Sequence, residues 1–162
     1  MKKRLLVVFV LCLVLISCGK REELFSKTHK RDGLVYIINE EKPYTGILLK
    51  YHGNGKVEEK LNFKQGQYDG ENLSYYENGH IKEKFNFEDG QLDGKMISYY
   101  EDGQVEARFN FRKGQQEGEN FSFYKNGQIE MKLDFKHGKL DGKMISYYKN
   151  GQIKDEINWQ EW

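Results

Sequence analysis

The sequence predicts an all-β chain: a single-layer antiparallel β-meander of 24-residue hairpin repeats, set after an N-terminal signal segment. Three observations point there. Glycines recur at 46, 70, 94, 118 and 142, at 55, 79, 103, 127 and 151, and at 66, 90, 114 and 138, so three series share a period of 24. Aromatic and branched residues keep the same period, as in Phe63, Phe87, Phe111, Phe135 and Trp159, or Val57, Ile81, Val105, Ile129 and Ile153. Such self-similarity marks an array in which each unit buries its apolar face against its neighbours. The third observation is composition, with 17 glycines, one proline and 14% aromatic residues, which suits strands joined by tight turns.

A length of 162 residues allows one domain or a short repeat array, and 31% charged residues leave little material for a large globular core. The aromatic content is too high for a disordered chain. Net charge is +1, and removal of the basic N-terminal residues Lys2, Lys3 and Arg4 makes it slightly negative, so no nucleic-acid partner is expected.

In chain order, residues 1–17 read as a lipoprotein signal peptide. Lys2-Lys3-Arg4 precedes twelve apolar residues, Leu5 to Ile16, a run of export length and too short to span a bilayer. Leu15-Ile16-Ser17-Cys18-Gly19 resembles a bacterial lipobox, in which the cysteine is acylated and becomes the mature N-terminus. Cys18 is therefore the candidate lipidation site, and the chain is expected in the cell envelope, exported and lipid-anchored to a bacterial membrane. An ordinary signal peptide with an incidental cysteine is the alternative. Cys12 leaves with the signal segment, so no internal disulfide is expected. Residues 18–32 read as the lipidated terminus and a charged linker, and 33–45 as an opening cap strand. The array covers 46–162, in units 46–69, 70–93, 94–117, 118–141 and 142–162.

Within a unit, alternating runs around Leu73 to Tyr76 and Ile81 to Phe87 flank Glu77-Asn78-Gly79 and read as a hairpin. Parity selects a three-residue loop, since that places Leu73 and Tyr75 on one face with Ile81, Phe85 and Phe87. Such a loop wants glycine last, where Gly55, Gly79, Gly103, Gly127 and Gly151 stand as structural turn residues. Glu88-Asp89-Gly90 is read as a second three-residue loop, and Trp159 and Trp162 as closing the far edge. Verbatim recurrence of Gly-Lys-Met-Ile-Ser-Tyr-Tyr at 94 and 142, and of Gly-Glu-Asn at 70 and 118, suggests a two-repeat duplication.

No chemistry-bearing constellation emerges. His29, His52, His80 and His137 lack metal-ligand spacing, and Asp69, Asp93, Glu117 and Asp141 suit turns better than calcium. Serines 74, 98, 122 and 146 have no histidine in register. No catalytic residue, metal or cofactor is expected, which leaves a surface. On the outer face the pattern sets Tyr76, Tyr100, Tyr124 and Tyr148 beside a parallel row of Lys60, Lys84, Arg108 and Lys132. These are the candidate binding residues for a protein or envelope polymer, unless they merely cover a thin sheet.

Phe63-Lys64-Gln65-Gly66-Gln67-Tyr68-Asp69-Gly70, repeated from Phe87, Phe111 and Phe135, resembles the aromatic-x-x-Gly-x-x-x-Gly heart of the MORN (membrane occupation and recognition nexus) repeat. The usual unit has a further glycine two residues on. Here Gly94-Lys95-Met96 has none and Tyr99-Tyr100 follows, as in the bacterial MORN variant, some of whose members are labelled antitoxin-like. The resemblance implies a non-enzymatic binding or scaffold sheet, with an antitoxin or immunity-like inhibitor as the alternative and phospholipid headgroup contact as a third. A phosphatidylinositol phosphate kinase label would reflect repeat similarity alone, since the chain has no phosphate-cradling loop or metal-binding aspartates outside the repeats.

Overall fold

A computed structural model describes residues 20–159. The signal segment, Cys18 and Trp162 lie outside the described residues. The chain forms β1 (Glu22–Leu24), a 3-10 turn (Phe25–Lys27), β2 (Thr28–Arg31), β3 (Leu34–Ile37), β4 (Gly46–Tyr51) and β5 (Val57–Lys64). It continues through β6 (Gln67–Tyr68), β7 (Gly70–Tyr75), β8 (Ile81–Glu88), β9 (Gln91–Leu92), β10 (Gly94–Tyr99) and β11 (Val105–Arg112). The last five are β12 (Gln115–Gln116), β13 (Gly118–Phe123), β14 (Ile129–Lys136), β15 (Lys139–Tyr147) and β16 (Ile153–Trp159). One long sheet runs β1-β4-β5-β7-β8-β10-β11-β13-β14-β15-β16, while β2 and β3 pair separately. Every pairing along the sheet is antiparallel except β1 with β4. This is the hairpin meander that the period of 24 implies.

The first turn of each unit has three loop residues. In the second unit Tyr76 N–H donates to His80 O (2.9 Å) and Gly79 N–H to Tyr76 O (2.8 Å), and Gly79 has φ +96°. That φ suits glycine and few others. The Asn78 side chain accepts from His80 N–H at 2.8 Å, which holds the turn from outside.

Immediately after this turn the structure departs from the expected parity. Tyr75 lies opposite Ile81, but Ser74 lies opposite Glu83, so one residue is bulged out of the second strand. The same shift occurs in every hairpin of the array. An extra residue reverses the alternation. Leu73, Tyr75 and Ile81 therefore share one face, and Phe85 and Phe87 occupy the other. We call the second the aromatic face. The bulged positions are charged in every unit, Glu58, Lys82, Glu106, Glu130 and Lys154, so alternation of apolar residues carries no sign of them.

The second junction also differs. Glu88 pairs with Gln91 around a two-residue loop, Asp89-Gly90, with φ +45° and +79°. This is a type I′ hairpin turn, whose twist matches that of the strands. The third residue expected in the loop appears instead as an irregularity at Gly94 (φ +93°), where the ladder shifts by two residues before β10 resumes against β8. An even shift preserves the faces, so Met96 joins Phe85 on the aromatic side and Ile97 joins Lys84 on the other.

Residues 20–32 fold, where the sequence suggested a tether. β1 adds to the sheet with Glu22 opposite Ile47, and Arg21 pairs with Glu40 (2.6 Å) and Glu23 (3.1 Å). Parallel pairing and the intervening 3-10 turn leave no alternation to read. The cap strand forms as β3, but it pairs with β2 rather than opening the main sheet. The resulting hairpin lies over the aromatic face of the first unit, with Val35 N–H on Gly66 O (2.9 Å) and Tyr44 N–H on Val35 O (2.8 Å). Here sits the only cluster of buried apolar residues among those described: Ile37, Tyr44, Leu48 and Phe63.

Candidate functional site

Once the aromatic rows stack, each unit must also be joined to the next. Tyr76 Oη donates to Tyr99 O, Tyr100 Oη to Phe123 O and Tyr124 Oη to Tyr147 O, each at 2.7 Å. His52 occupies the same place in the first unit, its Nε2 lying 2.8 Å from Tyr75 O. The hydroxyls of this row therefore staple units together. Burial pushes the Tyr76 and Tyr100 phenols above their ordinary range. Lysines cover the rings: Lys82 at 6.0 Å from the Tyr76 centroid, Lys125 at 5.4 Å from Tyr100 and Lys149 at 5.8 Å from Tyr124. Tyr148, with no following unit among the described residues, is 51% exposed.

The row of Lys60, Lys84, Arg108 and Lys132 lies on the opposite face. Leu73 stands across from Lys84 and is three residues before Tyr76, so the tyrosines and these cations project to different sides. The bulge causes this separation, which replaces the expected shared face. Lys84 pairs with Glu71 and Lys132 with Glu119, and those bonds hold both ammonium groups above their usual range. The Arg108 guanidinium lies 5.3 Å from the Phe123 ring centroid, and Lys132 lies 5.7 Å from that of Phe121. Lys60 borders a hollow with Leu49, Val57 and Tyr75.

The aromatic face carries what alternation missed. Phe63, Tyr68 and Phe87 stack with centroids 4.6 and 5.0 Å apart. Asn72 and Asn120 are fully buried in it, and their Oδ1 atoms accept from Asn62 and Asn110 N–H, both at 2.6 Å. Met96 and Met144 take the equivalent places in the alternate units, so the Gly-Glu-Asn recurrence was the visible signal of a two-unit pattern. Two cavities open on this face: one of about 620 Å³ under the N-terminal hairpin, bounded by Phe25, His29, Phe63 and Tyr68, and one of about 270 Å³ between the first and second units. Beyond Phe63 the phenylalanines of the row are only half-buried, Phe87 against Tyr68, and Trp159 at its end is exposed.

Among the described residues, no group of three or more His, Cys, Asp or Glu could hold a metal ion, and no helix is long and apolar enough to cross a membrane. Ser74 and Ser146 hydroxyls donate to the carboxylates of Glu83 (3.4 Å) and Asp155 (3.2 Å), an arrangement that holds a serine without activating it.

A comparison with curated proteins found no match. Comparison with protein families found five successive matches to the MORN repeat variant, at residues 44–65, 68–89, 92–113, 116–137 and 140–161. The frame begins two residues before Gly46, at Tyr44, whose carbonyl accepts from Gly66 N–H (2.7 Å) as Tyr68 O does from Gly90 N–H (2.9 Å). With the greater part of its length in five such units, the chain belongs to the MORN repeat variant family.

Proposed function

We propose that this chain is a non-enzymatic, membrane-anchored lipoprotein whose repeat sheet acts as a binding or scaffold surface for a protein or another component of the bacterial envelope. One observation carries the reading: the phenylalanine row of the aromatic face is buried under the chain's own hairpin at Phe63 and only half-buried at Phe87, Phe111 and Phe135. A row of partly exposed aromatic and aliphatic side chains of that kind is characteristic of an interaction site. The MORN family, a generally non-catalytic repeat module, supports the same class of role. Lys2-Lys3-Arg4, the apolar run and Leu15-Ile16-Ser17-Cys18 support the anchor.

Site-specific photo-crosslinking from position 109 on the aromatic face, in intact cells, tests the surface. A discrete crosslinked envelope protein is the expected result. Crosslinks to lipid alone favour headgroup contact, and crosslinks to a toxin whose activity the chain suppresses favour the antitoxin reading. The anchor has its own test: Cys18→Ser abolishes labelling by a clickable palmitate analogue and moves the chain from the membrane to the soluble fraction. Unchanged labelling and fractionation count against it.

A further inference from the structure

The 270 Å³ cavity between the first two units is floored by Leu61, Tyr68, Phe85 and Phe87 and rimmed by Glu59 and Glu83. The two glutamates flank a single serine, since Glu59 lies opposite Ser74 across β5 and β7, and Ser74 lies opposite Glu83 across β7 and β8. Their backbones are thus two strand spacings apart, about 10 Å. Among the described residues neither carboxylate belongs to a salt bridge. Lys50 is close enough to Glu59 to feel its charge, but it bonds Glu58 at 2.7 Å. Lys82 stands over the Tyr76 ring, and Glu83 accepts only the long bond from Ser74.

The array supplies its own control. The column that holds Glu59 and Glu83 continues as Ala107, Met131 and Asp155, each again opposite a serine. The sheet therefore accepts a methyl or a thioether here. The third and fourth units do without a carboxylate at this place in the sheet. Only at Glu59 and Glu83 do two such carboxylates occur in succession, beside Tyr68, Phe85 and Phe87. The volume is below the ~300–1,000 Å³ of ordinary small-ligand pockets and suits a single side chain.

We propose that this cavity seats a protonated arginine side chain of a protein partner, its guanidinium lying on the aromatic floor and donating to Glu59 and Glu83. Arginine fits better than lysine, because its planar group stacks on rings while bonding carboxylates at its edge. The assignment names the partner chemistry of the scaffold surface and rests on that reading.

The test is a titration of the full chain, purified in detergent, with the peptide fluorescein-β-alanyl-Thr-Val-Arg-Val-Thr-amide, read by anisotropy. Saturable binding is expected, at least tenfold weaker when citrulline, neutral and nearly isosteric, replaces arginine. The same loss is expected for Glu83→Ala, which copies the third unit and keeps the fold, and for Glu59→Gln. Glu106→Gln, outside the cavity, leaves binding unchanged. Absence of saturable binding, equal binding of the citrulline peptide, or equal displacement by tetramethylammonium, which would mark a lipid-headgroup site, overturns the proposal. Failure here with crosslinking from position 109 intact removes the arginine assignment and spares the scaffold. Intact peptide binding without any crosslinked protein removes the scaffold instead.

Discussion

Each tyrosine of the 76, 100, 124 row has two jobs, a ring that packs and a hydroxyl that reaches the next unit, and the second fixes what its loss costs. Tyr100→Phe removes the 2.7 Å bond to Phe123 O while keeping the ring under Lys125. A loss of about 1 kcal/mol in urea unfolding is expected, as for an ordinary intramolecular hydrogen bond. Tyr148→Phe is the matched control. Its hydroxyl has no such partner among the described residues, and the same measurement should register no change. Equal effects at both positions would show that the stapling bond is not what the row contributes. This bond was illegible in the sequence because its acceptor is a backbone carbonyl 23 residues away, and carbonyls leave no trace in residue identity.

At the scale of the hairpin, two glycines with similar backbone angles predict different outcomes. Gly103 (φ +89°) stands in a three-residue loop with nothing within 4 Å of a would-be Cβ, so Gly103→Val loses the left-handed backbone preference, about 1–2 kcal/mol. Gly66 (φ +80°) lies under the N-terminal hairpin, where a Cβ would come 2.9 Å from Leu34 Cβ and 3.0 Å from Val35 N. Gly66→Ala therefore displaces the hairpin as well. The larger loss of the two is expected there, with faster hydrogen exchange at the Val35 amide, whose partner is Gly66 O. Slow exchange retained at Val35 would place the hairpin's attachment elsewhere. The turn glycines were readable because a backbone held at φ +81° to +96° strongly favours glycine. The bulge beside them was not, since Lys82 and its equivalents are charged residues that suit a strand and a bulge equally.

Over the whole molecule, stability is shared among units that each bury little, so partly buried phenols count. Burial raises the pKa of Tyr44, Tyr68, Tyr75, Tyr76 and Tyr100 in the folded chain. Between the unfolded value, about 10, and those raised values the folded state holds more protons. The contribution is complete below pH ~10 and is lost as pH rises through the folded values. Lys84 and Lys132, raised by bonds to Glu71 and Glu119, act in the same direction. The urea midpoint should hold steady from pH 8 to about 9.5 and fall beyond it. A midpoint constant through pH 11 would mean that the phenols are as solvated in the fold as in the open chain.

Period, strand content, the meander and the place of the turns in the repeat array followed from sequence alone, because a 24-residue repeat imposes one local geometry many times over and its glycines mark where the backbone turns left-handed. Which residues share a face was a tertiary decision. One bulged residue per hairpin divides Leu73 and Tyr75 from Phe85 and Phe87, and sends the tyrosine row and the lysine row to opposite sides. The folding of residues 20–44 onto the first unit was likewise settled by long-range contacts, through Gly66 O and the buried Tyr44. Those contacts bury Phe63 while Phe87, Phe111 and Phe135 stay half-buried, and hydrophobic patterning, identical at all four, has no means of telling them apart.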